Sequence, residues 1–358
     1  PPMNMTNPGL NNPHPFPAVM VVHGPEVFDH GDAAWLLARI RPASVIVAGV
    51  MARTAAEESA LDVVFDSRPP SQVITGIDEG VFLLNRGKTP QSGRIFGEIV
   101  ASRLPGRGLV HVECSSHTVY CWDGGNAALA QVLADHTGFV QEHATSASPD
   151  EKGTRTIRGC IPGEPVFVNG IVIGRAAGDE VVLRMDHGTI VPVRGLVPKA
   201  HGMEKLLRSG VPDISTAWCK SGAVRASAAR PGSRARRSGQ IVVIDHCGHT
   251  IYSRIDDSCS GVLAIGDDTT AVCGHICTHR GIPVLGVTDQ DADSILPSAF
   301  APGSVIVDTR PERDDDVGVE IAAMVVAGDA CWDDWVGDVL DRFSSRVTVV
   351  LDLREARP

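Results

Sequence analysis

Short apolar runs that end in glycine or in polar clusters recur along the chain, with helical patterns between them. From Ala18, AVMVVHGPE reads as a strand entering a glycine turn, and DAAWLLARI as a short helix. ASVIVAGVMARTAAEESAL supplies a second strand, a loop and a helix. QVITGIDEGVFLLN continues the alternation, GRIFGEIVASRL is helical, GLVHVECSS is a further strand, and Asn126 to His136 is an alanine- and leucine-rich helix. Strands separated by helices at this spacing predict a mostly parallel sheet covered on both faces. We read residues 18–145 as an N-terminal α/β domain, preceded by a polar, proline-rich flexible arm over residues 1–17.

The pattern then changes. EHATSASPDEKGT reads as a linker or exposed loop, and the run from Cys160 to Gly195 is a series of short β-rich segments cut by Pro-Gly, Asn-Gly, Ala-Gly and His-Gly. No crossover helix fits between them, so residues 155–200 are expected to form a small barrel-like module. Residues 201–240 follow as a connecting helix (KAHGMEKLLRSG) and a basic loop, Arg225 to Arg237. GQIVVIDHCG, VLAIGD, GIPVLGVTD and GSVIVDTR then read as strands of a C-terminal α/β domain, residues 241–358, closed by helical stretches and the edge strand RVTVVLDL. The predicted class is α/β: two mostly parallel, Rossmann-like portions with a β-rich inserted module.

Charge narrows the range of partners. The 358 residues carry 43 acidic and 32 basic side chains, a net charge of −11, which disfavours generalised binding to nucleic acid or an anionic membrane. The arginine-rich loop lacks interleaved aromatic residues and reads as a solvated loop. No apolar run reaches the roughly eighteen residues of a membrane span, and no secretory signal pattern is present. Nine scattered cysteines fit free thiols in a reducing, cytoplasmic compartment.

The densest chemical signal is AIGDDTTAVCGHICTHRGIPVLGVTDQDAD. Asp267, Asp268 and Thr269 follow one strand, and Asp289 and Asp291 follow the next. Beyond the carboxyl ends of neighbouring parallel strands, such acids converge on a ligand crevice and can hold Mg²⁺ through hard oxygen donors. The competing reading is that they cap helices and turns. Cys273, His275, Cys277 and His279 raise a weaker Zn²⁺ alternative at Cys273 and Cys277. Helical spacing there puts the two cysteines on one face and the histidines on another, against a closed four-ligand site.

Elsewhere, His23 and Glu26 follow the first strand and are candidates for a general base. Gly49, Arg53 and Thr54 offer an anion site at the second strand end. Lys199, His201 and Lys220 are polar enough to line a cleft. Cys114 beside His117 lacks the surroundings of a nucleophile elbow, and His246 and His249 lie near another strand end.

The segments HGPEVFD, GVMARTAAEE, VNGIVIGRA, KAHGMEK, AWCKSG and the acidic stretch above resemble an uncharacterised conserved protein family of methane-producing archaea (DUF2117-like), over residues 18 to about 325. The resemblance implies an archaeal cytoplasmic protein tied to a methanogen-specific process, and it transfers no catalytic role. The DQDAD run is also faintly similar to the acidic segments of thiamin pyrophosphokinases and toprim domains.

The leading expectation is a Mg²⁺-dependent phosphotransferase or phosphohydrolase acting on a small nucleotide or phosphorylated metabolite. Asp267, Asp268, Asp289 and Asp291 would position the ion, Lys199, Lys220 or Arg53 would offset phosphoryl charge, and His23, Glu26 and Asp289 would be catalytic. A non-catalytic nucleotide- or cofactor-binding sensor or assembly protein is the first alternative, and a toprim-like nucleic-acid processor the second. Homo-oligomerisation stays open.

Overall fold

The computed structural model describes residues 16–78, 80–148, 150–169, 171–208, 210, 213–215, 217–223, 225–289 and 300–354. Almost all of the N-terminal arm expected over residues 1–17 lies outside them, as does Asp291. The fold is mixed α/β, with parallel-sheet cores and a β-rich module, and it divides into two compact units. The first comprises Pro1–Gly49 and Leu61–Ala147, and the second comprises Val50–Ala60 and Ser148–Pro358.

In chain order the first stretch runs β1 (Phe16–Val22), α1 (Glu26–Asp29), α2 (Asp32–Leu37), β2 (Pro42–Ala48), α3 (Met51–Ser59), β3 (Val64–Asp66) and α4 (Pro70–Thr75). It continues with β4 (Gly80–Asn85), α5 (Pro90–Ser102), β5 (Leu109–Glu113), β6 (Thr118–Trp122), α6 (Ala127–Thr137) and β7 (Val140–Ala144). The seven strands form one sheet in the order β3-β2-β1-β4-β5-β6-β7. Neighbours are parallel except β5 and β6, which pair antiparallel from Leu109 opposite Trp122 to Glu113 opposite Thr118. That hairpin departs from the expected alternation: TVYCW is a fully buried strand, and the turn before it, with His117 at φ 54°, takes the place of a crossover helix. Strand order reverses between β1 and β4, so their carboxyl ends open the crevice that such sheets offer to ligands.

Helix α3, although it lies between β2 and β3 in sequence, belongs to the second unit. There Glu58 pairs with Arg225 at 2.8 Å, with both side chains almost wholly buried. Arg53 lies over the Tyr252 ring, and Thr54 Oγ1 is 2.6 Å from the Tyr252 hydroxyl.

The β-rich module comprises β8 (Thr154–Arg158), β9 (Pro165–Val168), β10 (Ile171–Ala176), β11 (Glu180–Asp186), β12 (Thr189–Arg194) and β13 (Leu196–Pro198), with β14 (Cys219–Ser221) added after α7 (Ala200–Arg208). These strands make two small antiparallel sheets, β13-β10-β9-β14 and β12-β11-β8. They share a core that includes Val166, Val168, Ile173, Val181 and Leu183. As the closely spaced turns require, no helix interrupts residues 160–198 among those described.

The remaining elements are β15 (Ser238–Asp245), a 3₁₀ turn (Gly248–Ser253), β16 (Cys259–Ile265), α8 (Asp267–Arg280), β17 (Val284–Thr288), β18 (Val305–Asp308), α9 (Asp314–Ala322), β19 (Ala330–Cys331), α10 (Trp332–Phe343) and β20 (Thr348–Asp352). The sheet order is β19-β15-β16-β17-β18-β20, with parallel inner strands and antiparallel edges. β16 and β17 are buried at every position, which explains why CSGVLAI and VLGVT show no polar alternation. One face carries α8 through Val272, Cys273, Ile276 and Cys277. The other carries α9 and α10 through Val317, Ile321, Trp332 and Trp335. Among the described residues, no helix is long and apolar enough to cross a membrane.

Candidate functional site

The parallel strands of the second unit all release their chains at one edge of the sheet. β15 ends at Asp245 and is followed by His246; β16 by Gly266, Asp267 and Asp268; β17 by Asp289; β18 by Thr309 and Arg310. Helix α7 adds His201 and Lys205, and the first turn of α9 adds Asp314 and Asp315. A narrow cleft runs between β10, α7 and the start of α8, lined by Lys199, Lys205, His246, Asp267, Asp268 and Thr269 among others. Gly202 lets α7 close onto β10, because a Cβ there would lie 1.9 Å from the Val172 carbonyl oxygen.

His246 is the best-defined group. Its backbone has φ 50°, a left-handed conformation uncommon outside glycine. Gly266, at φ 106°, accommodates its ring: a Cβ on Gly266 would come within 3.0 Å of His246 Nε2. His246 Nδ1 contacts the Asp245 carboxylate. A carboxylate only accepts, so Nδ1 carries the proton, and in the neutral ring Nε2 holds a lone pair. That nitrogen is buried and lies 3.2 Å from Asp315 Oδ1, without the geometry of a hydrogen bond. Two acceptors so placed call for a proton or a cation between them. Nε2, Asp314 and Asp315 offer ligand atoms within 4.8 Å of one another, with the carboxylate–imidazole pairing typical behind a metal-bound histidine.

His201, Asp289 and Asp314 form a second group of the same compactness. Here the proton lies the other way round. Arg313 Nη2 is 3.1 Å from His201 Nδ1, and guanidinium only donates, so Nδ1 accepts and Nε2 bears the hydrogen. Nε2 is 3.8 Å from Asp289 Oδ2, too far for a direct bond. As arranged, His201 is a hydrogen-bond donor rather than a metal ligand. The donor chemistry therefore fits one divalent ion best at His246, Asp314 and Asp315.

Asp314 is fully buried, and Lys205 Nζ donates to both its oxygens, at 3.1 and 3.0 Å. Burial works to lower the Lys205 pKa, but Asp314, with Asp315 and Asp289 behind it, holds it above the ordinary lysine value. The guanidinium of Arg310 is pinned by Asp308, raising its pKa, with further contributions from Asp267 and Asp289.

The sequence-derived candidates separate accordingly. Asp267, Asp268, Thr269 and Lys199 line the cleft. His201 and Asp289 belong to one candidate cluster. Asp268 Oδ2 accepts from the Val172 amide at 2.6 Å, so this carboxylate is engaged in tying α8 to β10. Arg53 and Thr54 take part in the packing of α3, Arg53 with Glu57 at 3.0 Å and Thr54 with Tyr252. Lys220 lies on β14 opposite Phe167. Gly49, with φ 80°, closes the turn after β2 by donating to Asp66 O. His23 and Glu26 belong to the first unit.

The Zn²⁺ alternative at Cys273 and Cys277 finds no support among the described residues. The expected helix forms, but it is buried on all sides, and both thiols pack among Val272, Ile276, Ile282 and Phe300. Burial pushes both pKa values well up, against the thiolate that zinc needs. No candidate metal cluster among the described residues contains a cysteine. Two arginines of the basic loop pair with acids, Arg225 with Glu58 and Arg234 with Asp333, while Arg230, Arg236 and Arg237 are exposed, as a solvated loop requires.

Sequence reasoning missed Asp314 and Asp315. Their signal was the run Asp314-Asp315-Asp316, which opens a helix just beyond the strand GSVIVDTR.

The chain is similar over 324 residues, at 29% identity, to an uncharacterised protein of Methanocaldococcus jannaschii; the match covers 84% of this chain and 88% of that protein. No solved structure matches it significantly. A family model described as an uncharacterised protein conserved in archaea (DUF2117) matches residues 20–329, and the chain belongs to that family.

Proposed function

We propose that the second unit is a divalent-cation-dependent phosphohydrolase or phosphotransferase acting on a small nucleotide or phosphorylated metabolite. The observation that carries this reading is His246: its lone-pair nitrogen faces Asp315, beside Asp314, with Asp245 fixing the tautomer. His246, Asp314 and Asp315 would hold the ion. An imidazole in the donor set shifts the preference from Mg²⁺ toward ions such as Mn²⁺. When bound, the ion would neutralise phosphoryl charge and activate a water. Lys199 and Lys205 would draw the phosphate into the cleft, and His201 Nε2–H would donate to a phosphoryl oxygen beside Asp289. Nine free cysteines fit a cytoplasmic setting for this chemistry.

A non-catalytic sensor is the second reading, favoured by the engagement of Asp268 with Val172 and of Asp314 with Lys205. Titration calorimetry of the full chain with Mn²⁺ and Mg²⁺, followed by phosphate-release assays on ATP and p-nitrophenyl phosphate, separates the two. Cation-dependent release that His246→Ala abolishes supports the enzyme. Cation-dependent ATP binding without release supports the sensor. No cation binding defeats the enzyme, and no binding of ATP with or without the cation counts against the sensor.

A further inference from the structure

Helix α7 holds both of the acids assigned to the cation, but it does not hold them in the same way. Asp315 divides its oxygens: Oδ1 lies 3.2 Å from His246 Nε2, while Oδ2 accepts from Arg208 Nη1 at 3.1 Å. An ion at Oδ1 therefore leaves the Arg208 pair intact. Asp314 has no such division. It is fully buried, and Lys205 Nζ donates to both of its oxygens, at 3.1 and 3.0 Å.

One Asp314 oxygen lies within 4.8 Å of a His246 ring nitrogen and of an Asp315 oxygen. A divalent ion bonded to Asp314 at about 2.1 Å would sit no more than about 5 Å from Nζ, whichever oxygen it took. Two positive charges that close repel strongly in a buried site, because little water separates them. Asp314 cannot serve the ion fully while it keeps the ammonium. Lys205 has room to yield: its stem is long and flexible, and it lines the narrow cleft with His246, Gly266 and Thr269. Helix α7 need not move with it, since Gly202 keeps the backbone against β10 and Arg208 keeps its hold on Asp315.

We propose that Lys205 is a stand-in cation: it neutralises Asp314 until a divalent ion displaces it, and the freed ammonium then takes the substrate's phosphate in the cleft. This rests on the cation site proposed above and adds an order of events to it, ion first and phosphate second. The two roles of Lys205 exclude each other in time, so one residue couples the two binding steps.

The test is titration calorimetry of the full chain with Mn²⁺ alone, then with inorganic phosphate at saturating Mn²⁺. Lys205→Gln keeps a donor for Asp314 but removes the charge. It should bind Mn²⁺ about tenfold tighter than the parent, and phosphate about tenfold weaker. Arg208→Gln removes an equal charge from a half-exposed, solvent-screened position and should shift Mn²⁺ affinity by about twofold or less. In the parent, acylation of Lys205 by an N-hydroxysuccinimide ester, read by mass spectrometry, should speed up about tenfold on adding Mn²⁺. That measurement decides should Lys205→Gln fail to fold. Unchanged or lowered Mn²⁺ affinity in Lys205→Gln, an equal gain in Arg208→Gln, or unmoved acylation overturns the inference and leaves the cation site standing. No Mn²⁺ uptake by the parent overturns the enzyme reading and the inference together.

Discussion

At the carboxyl edge of the first unit's sheet, buried Glu113 is surrounded by donors: two backbone amides, a serine hydroxyl and an asparagine. At the corresponding edge of the second unit's sheet, Asp314 accepts from Lys205 and Asp315 Oδ2 from Arg208, while an imidazole turns its lone pair toward Asp315 Oδ1. Both edges bury negative charge where parallel strands end. The first satisfies it from within, by hydrogen bonds that need no outside partner. The second pairs its acids with Lys205 and Arg208 but leaves His246 Nε2 facing Asp315 Oδ1, two acceptors that a proton or a cation between them would reconcile. A buried carboxylate is thus closed off by its donors in one place and left facing a second acceptor in the other, and the groups around it make the difference.

The largest expected effect breaks the first edge. Glu113→Leu strips the acceptor from Gly87, Ser115 and Asn85 and should destabilise the protein by about 4 kcal/mol in urea unfolding, whether or not Mn²⁺ is present. Asp314→Asn comes next. It leaves Lys205 buried without its full counter-charge, at about 3 kcal/mol, and should also lower Mn²⁺ affinity by about a hundredfold in calorimetry. Unchanged Mn²⁺ affinity in that variant would erase the contrast between the edges.

Gly97→Ala probes how tightly the first edge is packed. A Cβ at Gly97 would lie 2.1 Å from His111 Nδ1, so the usual helical gain of alanine should turn into a loss of about 2 kcal/mol, read as a lowered Tm. Asp245→Asn removes the carboxylate behind His246. Since Asp245 is half-exposed, stability should hold while Mn²⁺ affinity falls about tenfold.

The smallest effect concerns a pair belonging to neither edge. Burial works to raise the Glu57 pKa, but Arg280 and Arg53 lower it below its usual 4.5. A depressed carboxylate pKa stabilises the fold above the unfolded value and loses that contribution as pH falls through the folded one. Parent and Glu57→Gln should therefore differ by about 1 kcal/mol at neutral pH and converge as the pH falls from 4.5 through the lowered folded value, in unfolding curves taken across that range.

Strand ends were legible because parallel strands buried on both faces read as unbroken apolar runs, and the residues just beyond them are polar by necessity. That is why Asp267, Asp268 and Asp289 could be placed at the sheet edge from sequence. Which acids are left open to a cation was not legible, because it depends on partners far away in the chain. Asp268 is taken by the Val172 amide and Asp314 by Lys205, and neither pairing leaves a mark in local pattern. The tautomers of His246 and His201 are set by Asp245 and Arg313. Only the first of these is a sequence neighbour. The departure of α3 from the unit of its flanking strands was equally hidden, since Glu57 and Glu58 look like ordinary surface charges until Arg280 and Arg225 are found against them.

That helix has a consequence for how the gene can be divided. The chain passes from one unit to the other at Gly49–Val50, returns at Ala60–Leu61 and leaves again at Ala147–Ser148. A fragment ending at Ala147 would carry Glu57, Glu58 and Thr54 away from Arg280, Arg225 and Tyr252, and one starting at Ser148 would leave those three facing solvent. Neither half can be cut out as a free-standing cassette, so recombination, fusion or truncation must treat the two units as one inheritance.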